Sequence, residues 1–181
     1  MVKKLVYLDL ETQRGAQEVG GWAHKHAMGM SVAVTYGNLT GEYRIYLEED
    51  IPQLLDELRH ADCVIGFNIV DFDLKILEAY SVFSLEDLPC LDLMRDVEKR
   101  IGRRLGLEAL ARATLGIGKI ARGTDALRWW REGRLLDIAR YCCFDVKATR
   151  LLHEYGVRHG KVYFLNDRTG EKEAISVDWS V

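Results

Sequence analysis

The stretch LVYLDLETQ, residues 5–13, decides how the rest of the chain is read. Leu5, Val6, Tyr7 and Leu8 have the apolar character of a packed strand. Asp9 and Glu11 stand two apart, so on a strand both carboxylates leave the same face. Two like charges side by side in a partly apolar setting repel each other and lose hydration. A divalent cation is the usual remedy, so the strand points to a metal before any other part of the chain is considered.

The 181 residues are 48% hydrophobic and 29% charged, which predicts one globular domain, residues 1–181, with a substantial core. No apolar run approaches the ~18 residues that span a bilayer. The start, MVKKLVYLDLE, lacks the sustained apolar segment of a signal peptide, and a cytoplasmic protein with no membrane partner is expected. Cys63, Cys90, Cys142 and Cys143 show no C-x-x-C spacing, which argues for reduced, mostly buried thiols. His24 and His26 have no third ligand near them and are read as part of a loop or strand pair.

The net charge of −3 hides an asymmetry: residues 95–134 hold eleven Lys and Arg against five Asp and Glu. That half, with Arg103, Arg104, Lys119, Arg122 and Arg131 among its cations, suits either a phosphate backbone or a pair of solvated helix faces. Counting alone slightly favours the solvated faces.

Residues 3–10 read as a strand, followed by MSVAVTYG and EYRIYLEE joined at GNLTG. DIPQLLDELRHA reads as a helix with Asp50 as its cap and Pro52 in its first turn. CVIGFN is a short buried strand, DFDLKILEAY an amphipathic helix and LPCLDL a last strand. From Met94 to about His159 the pattern is helical, with breaks at Gly102, Gly106, GIGKIARG and Gly133. The tail, residues 160–181, reads as a hairpin turning at DRTGE. This order predicts an α/β fold, a mixed sheet flanked by helices.

Three further acidic sites lie at element ends. In NIVDFD, Asp71 and Asp73 fall in the first helical turn, where the macrodipole favours anions. In YCCFD, Tyr141 and Asp145 are four apart on one helix face. Asp92, in CLDLMRD, either lines the same cleft or caps the next helix. Trp129 and Trp130 suggest base stacking, but neighbours on a helix face different ways, and the core is the preferred place for them.

Taken together, LDLET, NIVDFD and YCCFD resemble, in order and separation, the three motifs of the DEDD superfamily of 3′–5′ exonucleases. The resemblance runs from Leu5 to about Leu152 and extends to the exonuclease domains of family-B DNA polymerases and of helicase-fused exonucleases. Tyr141 stands where the tyrosine subtype carries its tyrosine, and Arg140 stands where the histidine subtype carries its histidine. The resemblance implies a ribonuclease-H-like fold with a mixed five-stranded sheet. It implies that Asp9, Glu11, Asp73 and Asp145 hold two divalent cations, Mg²⁺ or Mn²⁺, and that Tyr141 positions the attacking water. Thr12, Asn68 and Phe72 would contact a single strand with a free 3′ end, which is shortened to nucleoside 5′-monophosphates. A helicase or other repair or replication protein is an expected partner. The competing expectations are an enzyme trimming RNA 3′ ends and a non-catalytic module of the same fold that grips nucleic acid or a helicase.

Overall fold

In a computed structural model describing residues 2–118 and 123–181, the opening stretch forms β1, Leu5–Thr12. It starts and ends two residues later than the sequence pattern suggests, because pairing with β2, Met30–Gly37, carries the strand on through Glu11 to Thr12. The five-stranded sheet has the order β3-β2-β1-β4-β5, with β3 at Glu42–Tyr46, β4 at Cys63–Gly66 and β5 at Cys90–Asp92. Neighbours β1, β2 and β3 run antiparallel, and β1, β4 and β5 run parallel. This is the mixed sheet that the resemblance implies.

Alternation along β1 divides the core in two. Val6, Leu8 and Leu10 face a cluster built with α1, Ile51–Arg59, and α2, Asp73–Leu77. Tyr7 faces a second cluster, built with α3 (Leu93–Ile101), α4 (Leu107–Leu115), α5 (Gly123–Arg131) and the 25-residue α6, Leu135–His159. Asp9 and Glu11, on the Tyr7 side, therefore point toward α6. No helix among the described residues is long and apolar enough to cross a membrane.

The tail forms β6, Lys161–Leu165, and β7, Lys172–Ser176, as an antiparallel hairpin that packs Val162, Phe164 and Ile175 into the second cluster. Gly156 on α6 leaves room for Trp179: a Cβ there would lie 2.2 Å from the indole. Below it, buried His153 accepts from the Tyr7 hydroxyl at Nδ1, 2.9 Å, and donates from Nε2 to the Trp179 carbonyl, 3.0 Å.

Several local expectations differ from the structure. Asp50 precedes α1, but its carboxylate turns back to accept from Leu47 N at 3.0 Å, closing the preceding 3₁₀ turn instead of capping the helix. DFDLKILEAY is helical only from Asp73, so Asp71 lies in the turn before it. His24 and His26 lie in a 3₁₀ turn, Trp22–Ala27. Gly102 does end α3 in a left-handed conformation. Lys119 and Arg122, in the expected GIGKIARG break, fall outside the described residues.

Candidate metal centre

The site is assembled where three elements meet. β1 supplies Asp9 and Glu11, and α6 supplies Asp145 one turn after Tyr141. One carboxylate oxygen from each of Asp9, Glu11 and Asp145 lies within 4.8 Å of the other two. Asp73, the first residue of α2, comes in from the end of β4. β4 stops pairing with β1 at Leu8, and beyond that point the Asp73 Oδ1 accepts the Leu10 amide at 2.9 Å. Asp73 is 2% exposed and lines the same cleft, of about 880 Å³, as the other three acids.

The turn that delivers Asp73 is tightly determined. A Cβ on Gly66 would meet Ile69 Cγ2 at 2.1 Å, so only glycine lets the chain fold back at this point. Asn68 adopts φ 65°, a conformation Asn tolerates better than most residues. Asp92 then holds the loop from below. Its carboxylate accepts from Asn68 N (2.9 Å) and Val70 N (3.0 Å) while capping α3 through Met94 N (3.1 Å) and Arg95 N (3.2 Å). Asp92 is thus a cap and a loop anchor. Asp71 is ion-paired with Arg95 and Arg104, which hold its carboxyl below the usual range.

Electrostatics sets the acid cluster apart. Burial, followed by the charges of Asp145, Asp73 and Glu11, pushes the Asp9 carboxyl well above its ordinary pKa. Burial, Asp145 and Asp73 do the same to Glu11. Burial raises Asp73 to about 8. Among the described residues no Lys or Arg is ion-paired with Asp9, Glu11 or Asp73. A crowded, all-oxygen donor set fits hard divalent cations. The acidic cluster can therefore bind metal.

Sequence reasoning missed one member. Cys142, fully buried, shares its one S–H between the Asp9 carbonyl (3.1 Å) and Asp9 Oδ2 (3.2 Å). Its position beside Tyr141 on α6 was visible in the sequence; its meeting with Asp9, 133 residues away, was not. Tyr141 is itself buried, with the Trp129 ring edge-on at 6.4 Å. Both Trp129 and Trp130 pack on the second core cluster. The Thr12 hydroxyl donates to the Arg14 carbonyl at 3.0 Å, the bond of a turn residue at the cleft. Asn68 and Phe72 also line the cleft, and the Asn68 amide oxygen is buried without a partner.

The sequence model of the RNase_H superfamily matches residues 6–157. The chain belongs to that superfamily. No curated protein sequence matches it. Among solved structures, this RNase_H superfamily chain resembles E. coli Exonuclease I in complex with a 5cy-dT13 oligonucleotide. The two are 14% identical with a TM-score of 0.53, over 88% of this chain and 41% of the other. It also resembles the zinc-bound form of the E. coli ExoI–ssDNA complex, at 15% identity and TM-score 0.50, over 87% of this chain and 41% of that one. The chain thus spans about two-fifths of the structures it matches, and the likeness establishes an RNase H-like fold.

Proposed function

We propose that the protein is a metal-dependent 3′–5′ exonuclease of the DEDD type, tyrosine subtype. It would hydrolyse single-stranded nucleic acid, DNA in preference to RNA, to nucleoside 5′-monophosphates. The observation that carries this reading is the convergence of Asp9, Glu11 and Asp145 within one ligand sphere, with Asp73 beside them. Of the similar structures, one holds a 5cy-dT13 oligonucleotide and the other ssDNA, which supports the choice of substrate.

In this reading the four acids hold two divalent cations, Mg²⁺ or Mn²⁺, which when bound supply a lowered pKa for water and neutralise charge on the reacting phosphate. Asp73, tied to the Leu10 amide, fixes one side of the acid cage. Cys142 fixes the Asp9 carboxylate from behind. Burial, with the charges of Asp145, Glu11 and Asp9, holds the Tyr141 phenol above its ordinary pKa. It keeps its proton and acts as a hydrogen-bond donor that orients the attacking water. Asn68 and Phe72 hold the terminal nucleotide, and Thr12 shapes the turn beside it. Residues 1–181 form one exonuclease domain with the 160–181 hairpin packed on it, acting in the cytoplasm on 3′ ends exposed by a helicase or another repair or replication protein.

The test is a time course with Mn²⁺ on matched 5′-labelled linear DNA, linear RNA and circular single-stranded DNA. Progressive shortening of the linear DNA, slower loss of RNA and an untouched circle are expected. Cutting of the circle would replace the exonuclease with an endonuclease. Tyr141→Phe should slow the linear reaction while leaving Mn²⁺ uptake, measured by calorimetry, unchanged. An unaltered rate would reduce Tyr141 to packing.

A further inference from the structure

The protein uses its four tryptophans unevenly. Trp179 is buried under α6, and Trp129 and Trp130 pack on the second core cluster. Trp22 is 66% exposed and lines the acid cleft. Its ring is nevertheless held in place. Gly20 and Gly21, at φ 87° and 113°, bring the chain into the Trp22–Ala27 turn through backbone angles that other residues resist. Lys25 Nζ donates to the Asp71 carbonyl at 2.6 Å, tying that turn to the loop before α2. The indole leans on Phe72, with ring centroids 6.2 Å apart and planes 60° apart. A fixed indole left in water forgoes the burial that stabilises the other three.

The rest of the cleft says what would cover it. Its floor is acidic, and among its described lining residues Arg131 is the one cation, paired across to Glu18 at 3.0 Å. An occupant with flat apolar faces and a phosphate chain meets all three features: the rings, the exchangeable arginine and a metal-neutralised floor. We propose that Trp22, backed by Phe72, is a stacking platform for an unpaired nucleobase of the substrate strand, with Arg131 exchanging Glu18 for a phosphate. The inference rests on the nuclease reading above. A base can lie on an indole only with one face free, so the platform selects single strands and frayed ends over closed duplexes.

The test uses the whole chain with Ca²⁺, a hard cation that keeps the acidic floor neutralised, and a short 5′-labelled oligo(dT) blocked against hydrolysis by phosphorothioate linkages, followed by fluorescence anisotropy. Trp22→Ala should raise the apparent Kd about tenfold, the effect of losing one stacked base. Trp22→Phe should recover most of the loss, and the melting temperature and Mn²⁺ uptake should stay at wild-type values. An abasic nucleotide scanned along the strand should abolish the difference between wild type and Trp22→Ala at one position. If the wild type binds and Trp22→Ala binds equally well, or if no abasic position closes the gap, the platform is overturned and the nuclease reading stands. If the wild type neither binds nor shortens any strand, both fall.

Discussion

Two charged regions stand out in the sequence: the acids scattered from Asp9 to Asp145, and the basic run over residues 95–134. Folding treats them in opposite ways. Arg95 and Arg104 pair with Asp71, Arg100 with Asp96, and Arg103 with Asp167. Arg112 pairs with Glu108, Arg128 with Asp125, and Arg134 with Glu132 and Asp137. Of the described Lys and Arg in that run, only Arg131 lines the acid cleft. Asp9, Glu11, Asp73 and Asp145 are gathered into one cleft, where burial and neighbouring acids push Asp9 and Glu11 above their ordinary pKa values and burial raises Asp73. Charges that the fold pairs at the surface need no ligand, whereas carboxylates crowded together in a buried cleft call for one.

The largest expected effect tests the acid half of this contrast. Asp73→Asn can keep the Leu10 hydrogen bond through its amide oxygen, so the fold should survive. Mn²⁺-dependent degradation of single-stranded DNA should fall by more than the ~10–100-fold typical of residues behind a metal ligand. Wild-type rates in that variant would remove Asp73 from the site.

Next comes Cys142→Ala, which removes the donor behind Asp9. A loss of about 10–100-fold in Mn²⁺ affinity by calorimetry is expected, with Cys142→Ser restoring most of it. If alanine and serine behave alike, the thiol is filler.

Melting experiments probe the crowded acids directly. A carboxyl whose folded pKa is raised contributes stability at low pH that is lost as pH rises. For Asp73 that window runs from its unfolded value of about 4 to about 8 in the metal-free protein. His153 acts at the acid end. Burial lowers its pKa, so its contribution is lost as pH falls below the unfolded value of about 6.5. At pH 8, where His153 is neutral in both states, a hundredfold excess of Mn²⁺ over its Kd should add about 2.7 kcal/mol. For a chain of this size that is a rise of about 5–10 °C in Tm. Asp9→Asn should raise the metal-free Tm at the same pH and blunt the metal response. A metal-independent Tm would contradict the crowded-acid picture.

The smallest effect belongs to the basic half. Reversing Arg103 and Arg104 to Glu breaks pairs with Asp167, Glu98 and Asp71. It should cost roughly 0–1 kcal/mol per exposed pair. It should leave the salt dependence of DNA binding unchanged, whereas loss of one phosphate contact lowers that slope by about one. A flattened slope would restore the basic half as a nucleic-acid surface.

Strand alternation placed Asp9 and Glu11 on one face, and the i, i+4 spacing placed Tyr141 and Asp145 together on α6; both were legible because they depend only on local geometry. The strands β2 and β4, the long helix and the hairpin followed from apolar patterning and turn residues. Asp92 and Asp71 could not be assigned from spacing, because a cap and an ion pair are defined by partners from elsewhere in the chain. The Trp22 shelf was equally hidden, since exposure beside the acid cleft depends on how the 3₁₀ turn lies against α2.

What the sequence determined by itself was the list of parts: a strand with two acids on one face, a helix with an acid and a tyrosine one turn apart, and an α/β order around them. Those are short-range consequences of backbone period and side-chain chemistry. What only the tertiary structure decided was which charges meet. The end of β4 at Gly66 brings Asp73 to the Leu10 amide, and the packing of α6 on β1 brings Cys142 to Asp9. Such contacts join residues 63 and 133 positions apart, and no local pattern encodes a distance set by how sheet and helices pack.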